Sequence, residues 1–188
     1  VEGDGVDSYR QLGTTLLQIE NEFYGTIRPK CVIRRGERPL HALRERGVEY
    51  VEVRLMDLNP FEPIGITAAT IRLLDTLLLH FLLSDSPPDT PEEIAANGHN
   101  QHRVALRGRE PGLTLERRGE EVTLAEWGGQ LLAECAPIAE TLDATHGGSD
   151  YRDALAGAIS ALHDPAQLPS ARVLKAMHEE ADDVYVRF

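Results

Sequence analysis

Two short runs of alternating polar residues carry the side chains best suited to chemistry. In LLQIENEFY, residues 16–24, a period of two places Gln18, Glu20, Glu22 and Tyr24 on one face. Leu17, Ile19, Asn21 and Phe23 fall on the other. In VEYVEVRLMDL, residues 48–58, one face carries Tyr50, Glu52, Arg54 and Met56. Val51, Val53 and Leu55 form the opposite face, with Glu49 at its edge. If the two runs share a sheet, their carboxylates and the arginine converge on one surface. Carboxylate oxygens suit Mg²⁺, which is held by a few carboxylates plus substrate phosphates. A guanidinium adds a planar fork for a carboxylate or a phosphoryl group. A sheet fixes such a group more tightly than a loop does. The plainer alternative is that a polar strand face is simply the wet side of an antiparallel sheet.

The elements that must position these residues follow from the pattern. The first third reads as strands with one apolar face, as in a half-buried antiparallel sheet. TIRPK, residues 26–30, is expected to leave the first strand, because Pro29 cannot donate to a central ladder. PLHALRER, residues 39–46, predicts a short helix stopped by Gly47. NPFEPIG, residues 59–65, is a turn region. Thr67 then caps a helix whose apolar residues Ile71, Leu74, Leu78, Phe81 and Leu82 recur at helical spacing. A second helix starts near Thr90, with Pro91 at its first position, and is expected to break at Asn97-Gly98 before Leu106. GREPGLTL, residues 108–115, reads as a turn and a short extended piece. Further helices are predicted over residues 124–146, 150–163 and 170–180. Strands over about residues 8–60 and helices over about 67–188 define an α+β chain.

Composition narrows the function classes. The chain has 188 residues, of which 41% are apolar, with 16 glycines besides. That is the range of a folded chain rather than a disordered one. A net charge of −12 argues against nonspecific binding to nucleic acid or to an anionic membrane surface. No stretch reaches the roughly 18–20 uninterrupted apolar residues of a membrane-spanning helix. Two cysteines, Cys31 and Cys135, exclude a disulfide framework and fit a cytoplasmic setting. The chain opens on Val1 and ends on VYVRF, so it reads as a piece of a longer protein.

Five motifs together resemble one family. They are TLLQIENEFYGTIRPK (residues 15–30), GVEYVEVRLMDLNPFEPIGI (47–66), NQHRVALRGREPGLTL (100–115), AETLDATHGG (139–148) and SARVLKAMHE (170–179). In this order they resemble the proteobacterial type of glutamate–cysteine ligase over nearly the whole chain. The resemblance implies a glutamine-synthetase-like fold, in which a curved antiparallel sheet forms the site. It also implies ATP-dependent joining of the glutamate γ-carboxylate to the cysteine amine through a γ-glutamyl phosphate, the first step of glutathione biosynthesis. Mg²⁺, or Mn²⁺ in its place, would bridge nucleotide and substrate.

Carried over by motif, Glu52 matches a metal ligand. Arg54 matches the arginine on the transferring phosphoryl group or the γ-carboxylate. Tyr24 matches a tyrosine lining the cysteine pocket, and Arg28 or Lys30 would contact nucleotide phosphates. Glu20, Asn21 and Glu22 lie in the matching motif without an assigned role. Leu55 departs from the small polar residue expected after Arg54, but by alternation it points away from the site. The resemblance further implies that residues 1–188 are the C-terminal portion of one catalytic domain. The N-terminal portion, which carries the other metal ligands and the arginine that holds glutamate, would then be the partner. The chain alone is expected to be inactive. Two alternatives share these residues: a related carboxylate–amine ligase with another amine acceptor, and a non-catalytic scaffold.

The remaining candidates read as structural. His99-x-x-His102 lies in a polar stretch and is expected to face solvent rather than hold zinc. Acyl-phosphate chemistry needs no enzyme thiol, so Cys31 is not expected to be a nucleophile. Cys135 and Trp127 are expected to pack, and Gly147-Gly148 is a helix stop without a phosphate-loop pattern.

Overall fold

The computed structural model describes residues 25–180. The chain divides into two units, Val1–Asp57 and Leu58–Phe188. The described residues form helices and two small antiparallel sheets. Among the described residues no helix is long and apolar enough to cross a membrane.

In the first unit, β1 (Ile27–Lys30) pairs antiparallel with β2 (Tyr50–Val53), and α1 (Pro39–Arg46) lies between them in sequence. The expected first strand at residues 16–24 lies outside the described residues. The segment expected to leave the strand is instead a strand itself, and the register explains why. The Arg54 N–H donates to the Thr26 carbonyl at 2.9 Å. Bonded positions recur at every second residue of an antiparallel ladder. Pro29 stands opposite Val51, one residue out of step, so β2 asks no N–H of it. The second expected strand is also shorter than residues 48–58. Val51, assigned to a buried apolar face, stays 41% exposed.

Helix α1 begins with Pro39 at N1, and Arg44 and Arg46 lie in its last turn, where they complement the helix dipole. Gly47 turns the chain at φ 78°, a left-handed conformation that suits glycine. Its N–H donates to the Leu43 carbonyl at 2.9 Å. A side-chain knot closes the loop before the helix. Arg46 donates to both Glu37 oxygens, at 2.6 and 2.9 Å, and the Arg34 N–H adds a third bond at 2.8 Å. These contacts, the Arg46 guanidinium first, hold the Glu37 carboxyl down at about 2.

In the second unit, α2 (Ala68–Leu83), α4 (Leu124–His146) and α5 (Asp150–His163) pack around Leu132, Cys135, Ala139 and Leu155. Cys135 is core, as its setting in the sequence predicts. The face of α2 differs from the expected one. Leu73 and Leu77 meet the core and Thr76 is fully buried, whereas Ile71, Phe81 and Leu82 are exposed. A helix apolar on most sides does not declare its buried face by periodicity alone. The Thr76 hydroxyl is satisfied inside the helix by the Arg72 carbonyl at 2.9 Å.

Helix α3 (Pro91–Arg107) does not break at Asn97-Gly98. A glycine costs about 1 kcal/mol in a helix interior, but two features offset it. Thr90 and Glu93 form a complete capping box. The buried Asn100 amide bonds both backbone groups of Glu116, at 2.7 and 2.9 Å. Glu116 belongs to β3 (Thr114–Arg117), which pairs with β4 (Glu120–Thr123). Arg118 and Gly119 join them at φ 53° and 80°, the conformation of a type I′ hairpin turn. Thr123 and Glu126 then cap α4 with a second capping box.

The start of α5 has no cap from its own Ser149. The buried Asp143 of α4 supplies one, accepting from the Tyr151 and Arg152 N–H groups at 2.9 and 3.2 Å and from Arg152 Nε at 2.9 Å. A 3-10 turn (Pro165–Gln167) leads to α6 (Pro169–Glu180), where the Arg172 guanidinium lies 4.0 Å from the centre of the Phe61 ring.

Candidate active site

Register brings together the predicted site residues that lie in the described part of the first unit. Arg28 stands directly opposite Glu52, and Lys30 opposite Tyr50. In an antiparallel pair, residues opposite one another and residues two apart share a face. Arg28, Lys30, Tyr50 and Glu52 therefore lie on one side of the ladder. Arg54 extends the row and bonds back through its N–H to Thr26. The Lys30 ammonium lies 3.3 Å from Glu52 Oε2 and Arg54 Nε lies 3.5 Å from Glu52 Oε1. The three side chains keep 34–44% of their surface exposed. They form an open wall rather than a buried pocket.

Three cations share this face with one carboxylate and leave it positive. The imbalance extends through the described part of the unit: over residues 25–57, Lys and Arg outnumber Asp and Glu by eight to five, in a chain whose net charge is −12. Such a face suits a polyanion carrying several phosphoryl oxygens, which guanidinium and ammonium groups bind in different geometries. Glu52 is the acidic side chain that β1 and β2 contribute to the face, and its oxygens are the hard donors that Mg²⁺ takes. One carboxylate fits such an ion as part of its shell, with phosphate oxygens, water and other side chains completing it.

Tyr24, Glu20, Asn21 and Glu22 lie outside the described residues. Reading the sequence did not anticipate that Lys30 pairs with Glu52, because that contact depends on register across two segments twenty residues apart. It also missed the role of Glu49. Glu49 Oε2 accepts the Val32 N–H at 2.9 Å, which ties the end of β1 to the start of β2 and holds the Glu49 carboxyl below its usual range. Burial, with Glu49 beside it, pushes the Cys31 thiol up. A protonated, buried thiol is a poor nucleophile, in keeping with the structural reading of Cys31.

Among the described residues Glu37, His41 and Glu45 also bring ligand atoms within 4.8 Å of one another. Glu37 is already engaged by Arg46 and the Arg34 N–H, and His41 Nε2 faces Glu45 Oε1 at 3.2 Å across one exposed helical turn. These contacts already engage the ligand atoms of the group. His99 and His102 are exposed on α3 and join no such group among the described residues.

Fold and site thus define a chain of helices and small antiparallel sheets with a positively charged face on the strand pair of its first unit. Known proteins resemble this chain in sequence and in fold. The family model for glutamate-cysteine ligase matches residues 2–104. A glutamate–cysteine ligase of Alcanivorax borkumensis is 43% identical over 94% of this chain and 34% of its own length. One from Shewanella amazonensis is 48% identical over 96% of this chain and 34% of its own length. The crystal structure of the Francisella tularensis glutamate–cysteine ligase in complex with AMP superposes with a TM-score of 0.79. It is 36% identical over 90% of this chain and 34% of that one. A bifunctional glutathione synthetase from Pasteurella multocida, 23% identical with a TM-score of 0.62 over 85% of this chain and 19% of that one, shares the fold. The chain belongs to the glutamate–cysteine ligase family. It spans about a third of the length of the curated relatives it matches.

Proposed function

We propose that the chain supplies one wall of an active site that joins L-glutamate to L-cysteine at the expense of ATP, the first step of glutathione biosynthesis. The observation that carries this reading is the gathering of Arg28, Lys30, Glu52 and Arg54 on one strand face. Their motifs are those of a family that includes an AMP-bound ligase 36% identical to this chain.

The chemistry assigned to these residues is as follows. A γ-carboxylate oxygen of glutamate attacks the γ-phosphorus of ATP, and ADP leaves. The cysteine amine then attacks the acyl carbon of the γ-glutamyl phosphate, the amine loses a proton and phosphate departs. Charge develops on the transferring phosphoryl group, and the Arg54 guanidinium is placed to stabilise it. Arg28 and Lys30 hold nucleotide phosphates. Tyr24 lines the cysteine pocket. Glu52 would help hold Mg²⁺, or Mn²⁺, which would neutralise phosphate charge.

The finer architecture belongs to the same proposal. Residues 1–188 would be the C-terminal portion of a single catalytic domain, in which β1 and β2 are strands of a larger glutamine-synthetase-like sheet. The N-terminal portion of the enzyme would be the partner, and the setting cytoplasmic. Glutamate labelled with ¹⁸O in its γ-carboxylate tests the reaction in an enzyme of full length. One labelled oxygen in each released phosphate is expected. Turnover that leaves the phosphate unlabelled would exclude the acyl phosphate.

A further inference from the structure

The pair between Lys30 and Glu52 raises a question of competition. Lys30 Nζ lies 3.3 Å from Glu52 Oε2, while Arg54 Nε lies 3.5 Å from the other oxygen of the same carboxylate. Lys30 and Glu52 are 34% and 39% exposed, so water screens the pair and it is weak. An ammonium and a hard divalent cation seek the same oxygen lone pairs and repel one another. Holding both on Glu52 Oε2 would set like charges side by side, so metal binding there favours departure of the ammonium. The flexible four-carbon stem of lysine lets its charge move, whereas the Arg54 backbone is tied to Thr26.

We propose that Lys30 is a placeholder cation. It occupies Glu52 while the site is free of metal, leaves when a divalent cation takes that carboxylate, and turns its ammonium to a phosphate oxygen of the nucleotide. The inference rests on the reading of Glu52 as a metal ligand. Its logic is charge balance. Glu52 faces a cation before and after the exchange, and Lys30 trades a carboxylate for a phosphate. Lys30 then links metal arrival to nucleotide binding.

Two measurements on the full-length enzyme test this, with Mn²⁺ as the probe and free Mn²⁺ counted by electron paramagnetic resonance. Without nucleotide, Lys30→Gln is expected to bind Mn²⁺ about two- to fivefold more tightly than wild type, the range set by losing one weak exposed pair. The same variant is expected to show a raised KM for ATP. Acylation of the Lys30 amine, followed by peptide mass spectrometry, reports the exchange itself. In wild type the amine should react slowly, faster once Mn²⁺ is added alone, and slowly again when ADP follows. In Glu52→Gln it should react fast from the start. Equal Lys30 reactivity in metal-free wild type and Glu52→Gln would overturn the proposal, as would unchanged or weaker Mn²⁺ binding by Lys30→Gln. Undiminished Mn²⁺ binding by Glu52→Gln would instead remove the metal reading of Glu52, and the placeholder role with it. The acylation contrast made without metal separates these two failures.

Discussion

Replacing Glu52 by glutamine separates a chemical role from a structural one, because the structure assigns the two very different sizes. Structurally, Glu52 holds Lys30 at 3.3 Å and Arg54 at 3.5 Å, with its own side chain 39% exposed. Exposed pairs of this kind contribute about 0–1 kcal/mol each, so Glu52→Gln should cost under about 2 kcal/mol of stability. The amide keeps the shape of the side chain, and β1 and β2 keep their backbone ladder. Chemically, the loss should be larger. A carboxylate that helps hold the cation on the transferring phosphates should be worth about 100-fold or more in turnover, on the order of 2.7 kcal/mol of transition-state stabilisation. The assay is steady-state ADP release by the full-length enzyme at saturating ATP, glutamate and cysteine, alongside a thermal melt of the same preparation. The expected result is a near-normal melt with turnover down by two orders of magnitude. Turnover within about threefold of wild type would refute the metal-ligand reasoning. Collapse of the folded state would refute the account of Glu52 as an exposed, weakly paired side chain.

Arg54→Lys keeps the charge but loses the planar fork, and kcat is expected to fall about 10–100-fold with little change in the melt. Leu155→Ala opens a cavity between α4 and α5 and should cost about 2–5 kcal/mol, read by denaturant titration. The acid limit of α1 should depend on Glu37, whose carboxyl is lowered from 4.5 to about 2. A depressed carboxyl stabilises the folded state fully above its unfolded value and loses that effect as pH falls through its folded value. Amide exchange in α1 should therefore accelerate as pH drops from about 4.5 toward 2, after correction for intrinsic rates. In Glu37→Gln it should already be fast above that window.

What the sequence made legible, and what it hid, follows from the range of each interaction. Helix ends were readable where local chemistry marks them: Thr67, Thr90 and Pro91, and Gly47 all stand where a cap or stop was expected. The span of α4 also agrees with the expected one. The glycine at position 98 misled, because the bonds that steady α3 come from Asn100 to a strand sixteen residues away. The buried face of α2 was misassigned, since apolar residues surround most of that helix. The Arg118-Gly119 turn is not legible in the sequence, because Arg-Gly is not a typical hairpin dipeptide and the positive φ of Arg118 belongs to the structure. At the site, residue types and motif order pointed to Glu52, Arg54, Arg28 and Lys30. Pairing across the ladder is a property of register, and alternation within a single strand does not contain it. The contact of Lys30 with Glu52 is therefore visible only with Pro29 inside β1 and the register known.

The central claim, that this chain completes an acceptor-dependent ligase site, is tested most directly by ADP release with Mg-ATP, glutamate and cysteine. Each amino acid is omitted in turn, and the chain is assayed alone and combined with the remaining portion that its relatives carry. Release is expected only from the combined material and only when both amino acids are present. No release from combined, folded material would contradict the claim, and release with another amine in place of cysteine would reassign the acceptor.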